Sequence, residues 1–321
     1  MNTGLRYCKP AFFILICSFG ERRISRMKET VFRGAATAMI TPMREDGSVD
    51  YEAMGRLIDW QIEQGIDALL IAGTSGEGST LSDEEHREVL QFAVNQARGR
   101  VPMIAGTGSN DTAYACDLTK YACQIGYDAC LVVTPYYNKT TQRGLIRMYK
   151  TISDASTKPL ILYNVPSRTG ISLAPATVAE LSSYPHIDAI KEASGNISAI
   201  ADIAASVTEG FTIYSGNDDQ IIPILSLGGQ GVISVLSNLL PKETSAMVHA
   251  YLEGNIEQAR KMQLQYLPLI HALFCETNPI PVKAAMALMG YGTNTLRLPL
   301  VTMESEHENQ MRARMQEVGL L

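Results

Sequence analysis

The sequence predicts an α/β protein, a (β/α)8 TIM barrel followed by a C-terminal helical appendage. Two patterns carry this expectation. From residue 34 onward, eight short runs rich in β-formers alternate with segments whose apolar residues recur every three or four positions. From about residue 241 to the end the helical pattern continues alone, punctuated by Pro241, Gly254, Pro268, Pro281 and Pro299. Strand and helix in alternation imply parallel strands with crossover helices, and eight such units close on themselves. The rival is an open doubly wound sheet. It usually has fewer strands and a glycine fingerprint after the first one, whereas the stretch TAMITPM stands there.

The β-rich runs are 34–41, 68–73, 102–106, 129–134, 160–165, 188–192, 212–215 and 231–235. Between the first two, Met54, Leu57, Ile58 and Ile62 mark one helical face, ended by Gly65. Ser82 and Glu85 form a capping box ahead of Val89, Leu90, Ala93 and Val94. Residues 30–254 are read as the barrel, with one helix closing it, and 255–321 as the helical domain. The first 29 residues stand apart. Arg6 and Lys9 precede an apolar run from Ala11 to Cys17 that is at the short limit for a secretory leader, lacks a small-residue cleavage site and is too short to span a bilayer. Met27 lies just before the first run, so 1–29 are read as a disordered extension or an over-early start.

The bulk properties exclude several classes. The chain has 321 residues, 46% hydrophobic and 19% charged, enough to bury a large core. A net charge of −6 with scattered Lys and Arg offers no field for a polyanion, so nucleic acid is excluded as a partner. Cys8, Cys17, Cys116, Cys123, Cys130 and Cys275 contain no C-x-x-C pair and read as reduced thiols of a cytoplasmic protein, with Cys116 and Cys123 packing on one helical face. His86, His186, His249, His271 and His307 are isolated, with no H-x-x-x-H pair, so no metal is expected, and no membrane partner is expected either.

In a barrel, chemistry sits at the carboxyl ends of the strands. There the polar residues cluster: Gly73-Thr74-Ser75-Gly76-Glu77-Gly78 after the second run, Thr134-Pro135-Tyr136-Tyr137-Asn138 after the fourth, Tyr163 and Asn164 in the fifth with Arg168 just beyond, and Gly216-Asn217-Asp218 after the seventh. Lys191 is the most informative. A lone lysine in an edge strand points into water. Barrel strands are covered on both faces, however, and alternation puts Ala189, Lys191 and Ala193 on one side, small neighbours that leave room for a ligand. Burial in an apolar mouth disfavours the ammonium, and a neutral amine adds to a ketone to give a Schiff base, an electron sink for making or breaking a C–C bond. The competing reading is a structural lysine paired with a buried acid. Tyr163 on the adjacent strand places a phenol beside the amine, suited to proton transfer, or else fills the core. The Gly73–Gly78 turn can aim N–H groups at an anion, and Arg168 offers a fork for a second carboxylate.

The stretches GTSGEGSTLSDEEH, AGTGSN, VTPYYNK, LYNVPSRTG, IKEASGN, GGQGVISV and NPIPVK together resemble the dihydrodipicolinate synthase and N-acetylneuraminate lyase family of class I aldolases, in family order from about residue 34 to the end. The resemblance implies a lyase that needs no cofactor and in which Lys191 forms a Schiff base with pyruvate. Tyr163 would be the proton donor and acceptor, linked through Thr74 to Tyr137, the latter entering the site of a neighbouring subunit of a homodimer that pairs into a tetramer. Ser75 matches the pyruvate carboxylate contact, with Ile233 and Gly216 as further binding positions. Arg168 implies L-aspartate 4-semialdehyde as second substrate and 4-hydroxy-tetrahydrodipicolinate as product, in lysine and diaminopimelate biosynthesis. The rivals are another pyruvate aldolase of the family, such as a sialate or 2-keto-3-deoxy sugar acid lyase, and a non-catalytic ligand-binding barrel. Gly78, Ser79, His86, Asn110 and Tyr136 match an allosteric lysine site, but Asp83 and Tyr114 depart from its pattern, the first replacing a histidine and the second a glutamate.

Overall fold

A computed structural model describes Lys28 and residues 30–321. Eight strands alternate with helices in the order β1 (Gly34–Ala38), α1 (Tyr51–Glu63), β2 (Ala68–Ile71), α2 (Asp83–Ala97), β3 (Met103–Gly106), α3 (Thr112–Ile125), β4 (Ala129–Val133) and α4 (Gln142–Asp154). There follow β5 (Leu160–Asn164), a single turn α5 (Pro166–Thr169), α6 (Pro175–Ser182), β6 (Ile187–Glu192), α7 (Ile197–Ser206), β7 (Thr212–Ser215), α8 (Ile221–Ser226) and β8 (Gly231–Ser234). The chain ends with α9 (Pro241–Leu252), α10 (Ile256–Leu273), α11 (Ile280–Leu288) and α12 (Ser305–Glu317). Neighbouring strands pair in parallel, and β8 returns to β1 with Gly34 opposite Gly231, so the sheet is a closed (β/α)8 barrel. The open-sheet rival is thereby excluded.

Period-two alternation divides the strands between two cores. Ala36, Leu70, Ile104, Leu131, Ile161, Ala189, Tyr214 and Ile233 fill the barrel, while Leu69, Leu162, Ile190, Ile213 and Val232 face outward into the layer under the helices. The helices meet that layer along the faces their spacing dictates. Met54, Leu57 and Ile58 of α1 are fully buried, each side chain contributing about 1.5–3 kcal/mol relative to exposure. The capping box is formed, with Ser82 Oγ accepting from Glu85 N and Glu85 Oε2 accepting from Ser82 N. Cys116 and Cys123 pack against the core from α3.

Two runs are shorter by two residues or more than the sequence suggests. β1 stops at Ala38; beyond it the amide of Ile40 donates to Asn238 Oδ1 and the Thr41 hydroxyl to Gly76 O. β2 stops at Ile71 because Ala72 takes a left-handed φ of 53°, which leaves the strand conformation. The expectation for residues 1–29 lies outside the described residues except for Lys28, whose ammonium donates to Tyr184 O and Ile187 O, each at 2.7 Å, and pairs with Asp188 at 3.2 Å. Among the described residues no helix is long and apolar enough to cross a membrane.

Candidate active site

The inward face of β6 carries Ala189 and then Lys191, and barrel register sets Lys191 directly opposite Tyr163 on β5 and Tyr214 on β7. Lys191 is 5% exposed and its Nζ lies 4.5 Å from the centroid of the Tyr163 ring. The amine therefore packs against the π face of the phenol. Among the described residues Lys191 makes no ion pair, which removes the reading of a lysine locked to a buried acid. The acids nearby are otherwise engaged. Glu192 points to the other face, where Asn164 and Ser194 donate to it and burial raises its carboxyl. Asp218 Oδ2 accepts from the amides of Val235 and Leu236, and burial raises this carboxyl too, against the pull of those bonds and of Lys191.

Space for Lys191 comes from Gly216. A Cβ at that position would stand 2.7 Å from Ala193 Cβ and 3.0 Å from Lys191 Cε, so any other residue would push the lysine aside. Ile233 of β8 is buried in the barrel interior. The β2–α2 loop closes another side. Gly78 has the same role there, since its Cβ would meet Ala72 O at 2.3 Å. Ser75 is buried, with its hydroxyl accepting from Asn278 Nδ2 at 3.1 Å, and Arg168 at the end of α5 donates from Nη2 to Asn278 O at 2.9 Å.

A cavity of about 510 Å³ opens beside these groups, lined in part by Thr74, Tyr163 and Arg168. Gly78, Ser79, His86 and Tyr136 line the same cavity, so part of the catalytic set and most of the regulatory set expected from the sequence share one space. Lys191, Ser75, Gly216 and Ile233 lie off its lining, as does Asn110, which donates to Tyr136 O at 3.2 Å. His86 bonds Gly106 O at 3.0 Å, and burial lowers its imidazole. Asp83, which departs from the regulatory pattern, is held by Arg87 at 3.0 Å, and the guanidinium keeps its carboxyl low. Tyr114 is pushed up to about 12 by burial and by Asp83.

Tyr137 is not brought in. Its side chain is 94% exposed and its backbone sits at φ 67°, a left-handed conformation that costs a non-glycine residue on the order of 1 kcal/mol or more. Among the described residues no hydrogen bond joins Thr74 to Tyr163 or to Tyr137 within the chain. Asn278 was not singled out from the sequence, although it opens the NPIPVK stretch; only the fold shows that its amide and carbonyl reach both Ser75 and Arg168. Among the described residues no group of three or more potential metal-ligating side chains occurs.

A closed barrel with a buried lysine under a phenol, at the end of the strands where such barrels react, defines a (β/α)8-barrel enzyme. Comparison with known proteins narrows the class. The profile of the Dihydrodipicolinate synthetase family matches residues 31–318, and the chain belongs to that family. The chain is 52% identical over 291 residues to the 4-hydroxy-tetrahydrodipicolinate synthase of Caldicellulosiruptor bescii, covering 91% of this chain and 98% of that one. The crystal structure of dihydrodipicolinate synthase from Aquifex aeolicus superposes with a TM-score of 0.88 at 44% identity, over 90% of this chain and 99% of that one. The chloride-inhibited synthase from Acinetobacter baumannii, complexed with pyruvate, matches at 0.88 and 40%, over 90% and 99%.

Proposed function

We propose that this chain is a lyase that condenses pyruvate with L-aspartate 4-semialdehyde to give 4-hydroxy-tetrahydrodipicolinate, in the biosynthesis of diaminopimelate and lysine. The observation that carries the reading is the Lys191–Tyr163 pair, in register on adjacent strands and buried. The amine of Lys191 adds to the ketone of pyruvate, and water leaves to form an iminium. Loss of a proton from the methyl carbon gives an enamine, which attacks the aldehyde; the carbonyl becomes a hydroxyl as the iminium re-forms, and the amino group of the added semialdehyde then adds to the iminium carbon, closing the ring and expelling the Lys191 amine. Tyr163 passes the protons, with Thr74 beside it on the cavity wall. Ser75 receives the pyruvate carboxylate, Gly216 and Ile233 shape its seat, and Arg168 receives the carboxylate of the semialdehyde through its guanidinium.

The relay is completed by Tyr137 from a second copy of the chain. Its outward side chain and unfavourable backbone angle support a homodimer, and a dimer of dimers is the proposed assembly, acting in the cytoplasm. A sialate-type or sugar-acid lyase of the same family is the second reading, disfavoured by Arg168. Borohydride with pyruvate should add one pyruvate-derived mass per chain, on the peptide holding Lys191; absence of the adduct would defeat the proposal. Arg168→Ala should cut turnover with the semialdehyde by about 10²-fold or more while trapping persists. Survival of that turnover would hand the assignment to the second reading. Titration of the assay with lysine tests the Gly78, Ser79, His86, Asn110 and Tyr136 part of the cavity as a regulatory site.

A further inference from the structure

The NPIPVK stretch, residues 278–283, is left without a task by this chemistry. It lies at the start of α11, far along the chain from the strands that carry the reacting groups, yet its polar side chains turn toward the β2–α2 loop. Asn278 is buried, and its amide donates to Ser75 Oγ at 3.1 Å across 203 positions of sequence. Lys283 has no exposed surface, and its Nζ lies 2.5 Å from Glu77 Oε1. The other oxygen of Glu77 accepts the backbone amide of Arg297 at 3.1 Å.

Glu77 sits at φ 52° and Ala72 at φ 53°, so two non-glycine residues adopt left-handed backbone within six positions. Such angles are disfavoured locally and persist where surrounding contacts over-determine them. Thr74 and Ser75 lie between the two. An ion pair with both ends out of water constrains position more tightly than a surface pair, because leaving it would strand a charge in the core.

We propose that Asn278 and Lys283 are positioning residues for the pyruvate-carboxylate end of the site, Asn278 orienting the Ser75 hydroxyl and Lys283 fixing, through Glu77, the backbone that presents Thr74 and Ser75. The proposal rests on the reading of Ser75 as the carboxylate contact. The helical appendage is then part of the catalytic apparatus, although it contributes no reacting atom.

The test uses the full chain in two variants. The double variant Glu77→Gln with Lys283→Met removes both charges of the pair at similar volume, and Asn278→Ala removes the contact to Ser75. In each, the pyruvate KM should rise about tenfold while kcat and the semialdehyde KM stay within about threefold of the parent. In the double variant, amides of residues 74–78 should exchange with deuterium at least about tenfold faster, with those of β6 unchanged. Parent-like loop exchange and pyruvate KM in a folded double variant would overturn the proposal, as would both KM values and kcat shifting together. If the double variant does not fold, Asn278→Ala decides by the same kinetic split. If the parent chain gives no pyruvate adduct, the proposed reaction falls, and loop exchange alone then decides whether the brace exists.

Discussion

Lys191 and Lys283 are both buried, yet they stand in opposite surroundings. Lys283 is clasped by Glu77 at 2.5 Å, and although burial pulls its ammonium below lysine's ordinary value, the carboxylate works in the other direction. Lys191 has a phenol ring at 4.5 Å and small neighbours. Burial by itself therefore does not mark a reacting lysine. What distinguishes the two is whether the amine is answered by an acid, which makes the side chain a structural tie, or left against a π surface, as the proposed chemistry requires.

The comparison can be broken by exchanging the consequences of losing each lysine. Lys191→Ala should abolish the pyruvate adduct and lower turnover by at least about a thousandfold, with a change in unfolding free energy within about 1 kcal/mol. Turnover assays and thermal melts together check this, and a large loss of stability would mean that Lys191 is a structural group after all. Lys283→Met should do the reverse in kind, destabilising the fold by about 3–5 kcal/mol because Glu77 is left buried and uncompensated; denaturant titration measures it. Gly216→Ala sharpens the contrast at the reacting end. The added methyl should displace Lys191 and reduce turnover by about 10²-fold, at a stability cost of about 1–3 kcal/mol, read from the same assays.

The smallest effect concerns the ion pair that flanks the Lys283 seam. Arg297 donates to both oxygens of Glu85, and this holds the Glu85 carboxyl down at about 2. A depressed folded-state value stabilises above the unfolded value near 4.5 and is lost as pH falls through about 2. The gap in unfolding free energy between the parent and Glu85→Gln should therefore be flat from about pH 7 to 5 and close on further acidification, and being partly solvated it should amount to at most about 1 kcal/mol, measured by denaturant titration at each pH. A gap that widens in acid would show that Arg297 does not favour the ionised carboxylate.

Much of this was legible in the sequence because it is local. Alternation alone set Ala189 and Lys191 on one face with Ile190 on the other, and the structure places them in the barrel and in the helix layer respectively. The Ser82–Glu85 capping box, three residues long in reach, was equally readable. The Glu77–Lys283 pair spans 206 positions, and neither residue carries a periodic signal that points to the other. Lys283 in the apolar run IPVKAAMAL was the available clue, since a charge at a core position requires a partner. Spacing carried no signal for the exposure of Tyr137 or for its left-handed backbone.

Lys28 closes the opposite end of the barrel, where it answers Asp188, three residues before Lys191 on the same strand. Asp188 is itself buried; Lys28 pairs with its Oδ1, and among the described residues its Oδ2 has no hydrogen-bond partner. Anyone shortening the amino terminus to tidy an expression clone thus has a residue to keep: loss of Lys28 would leave an acid stranded beneath the strand that bears Lys191.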